Sequence, residues 1–133
     1  MKYLLTFFMY CLLISPLRTL GQCDSTHLIT EIPVKFAGEQ IGLLTYFNNE
    51  ISPIIDECNK PDNEEITRIN IFLLINNFGK VTDVTFPKQD ITKQCQDEIR
   101  EKILTMKGWT PAYHKGQAVC SHFNYIISCI RKY

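Results

Sequence analysis

The stretch Trp109-Thr110-Pro111-Ala112-Tyr113-His114-Lys115-Gly116-Gln117-Ala118-Val119-Cys120-Ser121-His122-Phe123-Asn124-Tyr125-Ile126-Ile127-Ser128-Cys129 decides the fold. After the Lys115-Gly116 turn it alternates. Val119, Ser121, Phe123, Tyr125, Ile127 and Cys129 share one parity, and Ala118, Cys120, His122, Asn124, Ile126 and Ser128 share the other. In a strand the first set faces a core and the second is more exposed. Trp109, placed where a helix gives way to this strand, is expected to be a packing anchor.

Upstream, Ile91, Cys95, Ile99, Ile103 and Met106 form an apolar stripe that predicts a helix from about Asp90 or Ile91 to Lys107, with Asp90 as N-cap. Lys93, Asp97, Glu98, Arg100, Glu101 and Lys102 occupy its other faces. Asp97 and Glu98 are neighbours in sequence, which on a helix do not face each other, so they belong to a solvated face rather than to an acid–base pair. Further back, Ile69, Ile71, Leu73 and Ile75 alternate with Asn70, Phe72, Leu74 and Asn76. The pattern breaks at Asn76-Asn77-Phe78-Gly79-Lys80 and resumes from Val81 to Phe86, which predicts a β-hairpin. Phe36, Ile41, Leu44 and Phe47 recur at near-helical intervals and predict a short first helix, about Gly38 to Asn48, ended by Asn48-Asn49 and Pro53. A turn-rich loop containing Cys58 follows. The chain is therefore α+β, in the order helix-strand-strand-helix-strand.

Compartment decides what the cysteines mean. Lys2, the apolar run Tyr3–Ile14, Ser15-Pro16 and Thr19-Leu20-Gly21 form a basic region, a short hydrophobic region and a cleavage site after Gly21. A membrane span takes roughly 20 apolar residues, and this run stops at Pro16 and Arg18. Acylation of Cys23 is disfavoured by Gln22 before it. Residues 1–21 are thus expected to be a signal peptide, 22–35 an extended segment, and 36–133 a single domain exported to the periplasm. Of 133 residues, 14 are basic and 14 acidic, and loss of Lys2 and Arg18 tips the balance slightly acidic. No basic face favours nucleic acid or a membrane surface.

Of six cysteines, Cys11 leaves with the leader. Cys23, Cys58, Cys95, Cys120 and Cys129 remain in an oxidising compartment, enough for two bridges and one thiol left over. Cys120-x-His122 has the spacing of two side chains on one strand face, but a metal site needs two more ligands and none is close in sequence. No cofactor is expected.

The Ile71–Ile75 strand, the turn and strand Phe78-Gly79-Lys80-Val81-Thr82-Asp83-Val84, the amphipathic helix, Trp109-x-Pro111, Gly116 and the final strand together resemble the C-terminal domain of TonB proteins. Phe36-x-Gly38 is similar to the element that precedes the family's first helix. The resemblance covers about Phe36 to Ile130. It implies a three-stranded antiparallel sheet with the hairpin's first strand central and both helices on one face. It also implies capture of an extended peptide, such as the TonB box of an outer-membrane receptor, along the edge of the last strand. On this chain that edge is Ala118, Val119, Cys120, Ser121, His122, Phe123 and Asn124. A complete TonB adds a membrane anchor and a long Pro-rich spacer. Here about 14 residues separate Gln22 from Phe36, at most roughly 50 Å when extended, so the expectation is a stand-alone module without the force-transmitting parts.

The implied topology brings Cys58, Cys95 and Cys129 to one end of the domain and sets Cys120 towards the other, on the opposite sheet face. The expected bridges are Cys58 with Cys95 and Cys23 with Cys129. The alternative is that Cys95 and Cys129 are small buried side chains. Two other functions compete with peptide capture. One is a thiol enzyme using Cys120 with His122 or His114, for which no orienting acid or Cys-x-x-Cys is present. The other is a structural envelope protein that pairs through its edge strands, as a homodimer or in an assembly.

Overall fold

A computed structural model describes Cys23, Thr26 and residues 29–58, 68–87 and 91–128. The expected leader, Asp90 and Cys129 lie outside these residues. The central element is β2 (Arg68–Ile75), which pairs antiparallel with β3 (Val81–Thr85) on one side and β7 (Ser121–Ser128) on the other. The three-stranded antiparallel sheet therefore has the hairpin's first strand in the middle. Ile69, Ile71, Leu73 and Ile75 are almost wholly enclosed, because every second side chain of β2 points to the helical layer. There they meet Leu43, Phe47, Ile51 and Ile55 of the N-terminal helical region and Cys95, Ile99 and Ile103 of the later helix in one core.

The β2–β3 turn is built by Asn76. Its Oδ1 accepts from the backbone N–H groups of Phe78 and Lys80, at 3.0 and 2.9 Å, and its own N–H donates to the Lys80 carbonyl at 2.9 Å. Leu74 pairs with Asp83 and Ile75 with Val81, so Thr82 is an extra residue in the ladder. This bulge re-aims β3 so that Val81 and Val84, three apart, are both buried.

The first helix is longer and rotated relative to its sequence pattern. It runs as α1 (Glu39–Tyr46), a π-helical segment (Phe47–Ile51) and α2 (Ser52–Cys58), through the expected stop at Pro53 and the expected loop at Cys58. Proline lacks an N–H and its ring collides with the carbonyl four residues back, which normally breaks a helix. The wider π turn, in which the Ser52 N–H reaches back to the Phe47 carbonyl, accommodates both defects. It also keeps the core row straight. Four residues of α-helix overshoot a full turn by about 40°, and the wide turn takes up that drift so that Leu43, Phe47, Ile51 and Ile55 all face the sheet. Ile41 and Leu44, expected on the buried stripe, are instead 78% and 50% exposed.

α3 (Lys93–Leu104) begins later than its pattern suggests, with Thr92 rather than Asp90 as its cap; the Thr92 Oγ1 accepts from the Cys95 N–H at 3.3 Å. Asp97 is part of a solvated ion cluster, 2.6 Å from Arg100 and 3.4 Å from Lys93. Arg100 also donates to the Val84 carbonyl at 3.0 Å and lies over the Phe86 ring, which fastens α3 to β3. Among the described residues no helix is long and apolar enough to cross a membrane.

The stretch after the Lys115-Gly116 turn, expected as one long strand, is interrupted. β4 (Trp109–Thr110) pairs with β1 (Lys35–Phe36), and β5 (Ala112–His114) pairs with β6 (Gln117–Val119) around Lys115 and Gly116. Both turn residues have positive φ, 50° and 75°, as a two-residue type I′ turn requires. Cys120 then separates β6 from β7.

Two disulfides staple the fold. Cys58–Cys95 joins the end of α2 to the first turn of α3, as expected. The second is Cys23–Cys120, not Cys23–Cys129. The N-terminal segment determines this: Ile32 exchanges two backbone hydrogen bonds with Tyr113, and Lys35 pairs with Thr110. That path follows the β5–β6 side of the domain and brings Cys23 to the beginning of β7, away from its Ser128 end.

Candidate strand-addition edge

The sheet has two outer strands, and they differ in how they are protected. An outer strand offers unpaired N–H and C=O groups to any extended chain, and proteins blunt such edges with charge, bulges, proline or shortness. β3 has five residues, a bulge at Thr82 and an exposed carboxylate at Asp83. β7 has eight residues in unbroken register with β2, from Arg68↔Ser128 to Ile75↔Ser121, and contains no Asp, Glu, Lys, Arg or Pro. Among the described residues no strand pairs with its outer side.

Of the residues expected to form the working edge, Ala118 and Val119 belong to the β5–β6 hairpin. Cys120, expected on the exposed parity, is buried in its disulfide with Cys23. A bonded sulfur is neither thiolate nucleophile nor metal ligand, so the Cys120–His122 arrangement cannot form while this bridge is intact. Ser121 is buried, its Oγ without a hydrogen-bond partner among the described residues. His122 and Asn124 are exposed, and Phe123 is half-buried on the core side. The open edge is accordingly β7 itself, Ser121–Ser128, which begins three residues and ends four residues later than the expected span.

Beside this edge lies a groove of about 530 Å³, lined on one side by Phe123 and Tyr125 of β7 and elsewhere by residues from β1, β4 and α1. Its walls are aromatic and in mutual contact. Phe36 meets Trp109 edge to face at 5.1 Å between ring centres, Trp109 meets Phe123 at 4.9 Å, and Tyr125 stacks on Phe47 at 4.1 Å. Trp109 is 7% exposed, the packing anchor its position suggests, and its indole N–H has no acceptor among the described residues. Burial pushes the Tyr125 phenol above its ordinary pKa. Next to the groove wall, Tyr46 donates to the Lys102 carbonyl at 3.1 Å; burial, then the Glu50 carboxylate, raise its pKa against the opposing Lys102 ammonium. Glu50 holds Lys102 at 2.7 Å and so ties the π segment to α3.

The groove's charged residues are Lys35 and Glu39, one of each sign and both exposed. Among the described residues no cluster of His, Cys, Asp or Glu has the arrangement of a metal centre. The sequence signal for the β7 part was the alternation of Phe123 and Tyr125. The rest joins residues more than seventy positions apart, such as Phe36 and Trp109, for which the sequence offers only the Phe36-x-Gly38 element and the anchor position of Trp109, with nothing to show that they meet. No family model matches this chain, and no curated protein or solved structure matches it either.

Proposed function

We propose that this is an exported interaction module of the TonB C-terminal kind, which takes an extended segment of a cell-envelope partner as a fourth strand on the outer edge of β7. The observation that carries this proposal is the eight-residue, uncharged edge of β7, unpaired among the described residues, in a sheet whose other edge is protected. Main-chain hydrogen bonds supply affinity in such a complex, and the adjacent surface supplies selectivity. The two disulfides favour an oxidising compartment. Together with the leader-like residues 1–21 they support the periplasm, where the N-terminal peptide of a TonB-dependent outer-membrane receptor is the partner of best fit.

The test is an NMR titration of the isotope-labelled oxidised protein with a receptor TonB-box peptide. Binding should move the backbone amide signals of residues 121–128 and leave those of β3 in place. Unchanged β7 signals at millimolar peptide would contradict the proposal. Shifts that appear with rising protein concentration alone would assign the edge to a second copy of the chain.

A further inference from the structure

The groove beside β7 makes a demand on side chains that the edge alone does not. Side chains of an added strand alternate between the two faces of the sheet. On the face it shares with Phe123 and Tyr125, every second side chain of the newcomer would point towards the groove. On the face it shares with His122, Asn124 and Ile126, the intervening side chains meet solvent. The groove surface is made by Val34, Phe36, Leu43, Trp109, Phe123 and Tyr125, and Lys35 and Glu39 contribute charges of opposite sign. A charged side chain entering it would exchange water for aromatic rings without a dedicated counter-ion, whereas an aliphatic or aromatic one would lose only water. Its volume, about 530 Å³, lies within the range of pockets that take small ligands and is suited to inserted side chains.

Resting on the assignment of β7 as the docking edge, we infer that the groove selects an extended peptide with uncharged apolar side chains at alternate positions, one of them seated among Phe36, Trp109 and Phe123. Charge complementarity supports this occupant: β7 carries no fixed charge, and among the described residues the groove's charges are one Lys35 and one Glu39, so neither an acidic nor a basic peptide gains a net attraction there.

Trp109 is the chain's one tryptophan, so its emission reports on the groove without labelling. Three blocked peptides of equal length test the inference against the oxidised protein. The first alternates valine with threonine; the second has the same composition with all valines in one block; the third replaces the valines of the first by lysine. The alternating peptide should change Trp109 emission, move the β7 amide signals and bind roughly tenfold tighter than either of the others, the loss expected when one or more aliphatic side chains stay unburied. If all three move the β7 amides with equal affinity and Trp109 emission is unchanged, the edge is used and the groove is not, and the inference is overturned alone. If none moves any β7 amide while a receptor peptide does, the alternation rule is likewise wrong. If neither these nor a receptor peptide moves one, strand addition falls and takes the inference with it.

Discussion

Gly79 carries two constraints at once. Its φ of 76° is in the left-handed region, and a β-carbon there would collide with the carbonyl oxygen of Trp109. Gly116 has nearly the same φ, 75°, with open space around it. Gly116→Ala should therefore cost only the left-handed penalty of about 1–2 kcal/mol, and Gly79→Ala more, because backbone must also shift. Urea denaturation of the two variants gives the difference; equal losses would mean that the turn does not press on Trp109. Since Trp109 lines the groove, Gly79→Ala should also weaken peptide binding. At Ser121 the expected sign is opposite. Its buried hydroxyl lacks a partner among the described residues, and an unsatisfied buried polar group costs about 1–3 kcal/mol. Ser121→Ala should leave stability unchanged or raise it by up to about 1 kcal/mol in the same measurement.

Titration at the residue scale has one direction. The phenols of Tyr46 and Tyr125 are raised above 10.0, the first by burial and then Glu50, the second by burial. The Lys102 ammonium is raised above 10.5 by its hydrogen bond and attraction to Glu50. A group whose pKa is higher folded than unfolded holds its proton more tightly when folded. Its contribution is fully present below the unfolded value and is lost as pH rises through the folded value. Stability should thus decline above about pH 10, and Tyr125→Phe should make that decline shallower. A pH series of thermal unfolding checks this, and an equally steep decline in the variant would refute it.

Elements were legible in the sequence where periodicity was local. The hairpin, the stripe of α3 and the β7 alternation are each written within one run of residues, and each has its expected partner face. The full first helix is not legible in the sequence because Pro53 ordinarily ends a helix, and nothing local announces the π segment that lets the chain pass it. Ile41 and Leu44 lie off the buried face for the same reason: the buried row, Leu43, Phe47, Ile51 and Ile55, extends beyond the apparent stop. The Cys58–Cys95 bridge joins two helices 37 positions apart in sequence. By loop-closure entropy it should contribute about 3–4 kcal/mol, so Cys58→Ser with Cys95→Ser should lower stability by that amount in urea. A change below about 1 kcal/mol would mean that the helices are held by packing alone. Leu73→Ala, at the fully enclosed centre of β2, should cost about 2–5 kcal/mol.

At the scale of the whole molecule, the parts that sequence could not supply are those made by distant segments meeting. Cys23 finds Cys120 because the N-terminal segment pairs with β5 and β4, a long-range choice that no spacing records. The groove exists because Phe36 reaches Trp109 and Trp109 reaches Phe123. Among the described residues the sheet places this groove along the unpaired β7 edge, and the proposed strand addition needs that whole arrangement and not any single side chain.

Hydrogen exchange along β7 tests the central claim most directly. Alternate N–H groups of an edge strand bond inward, here to β2, and the others face outward. In the free oxidised protein every second amide between Ser121 and Ser128 should therefore exchange fast. With saturating receptor peptide the fast set should become slow, while exchange along β3 stays as it was. Fast amides that stay fast in the bound state, or a β7 already slow throughout in the free monomer, would contradict strand addition at this edge.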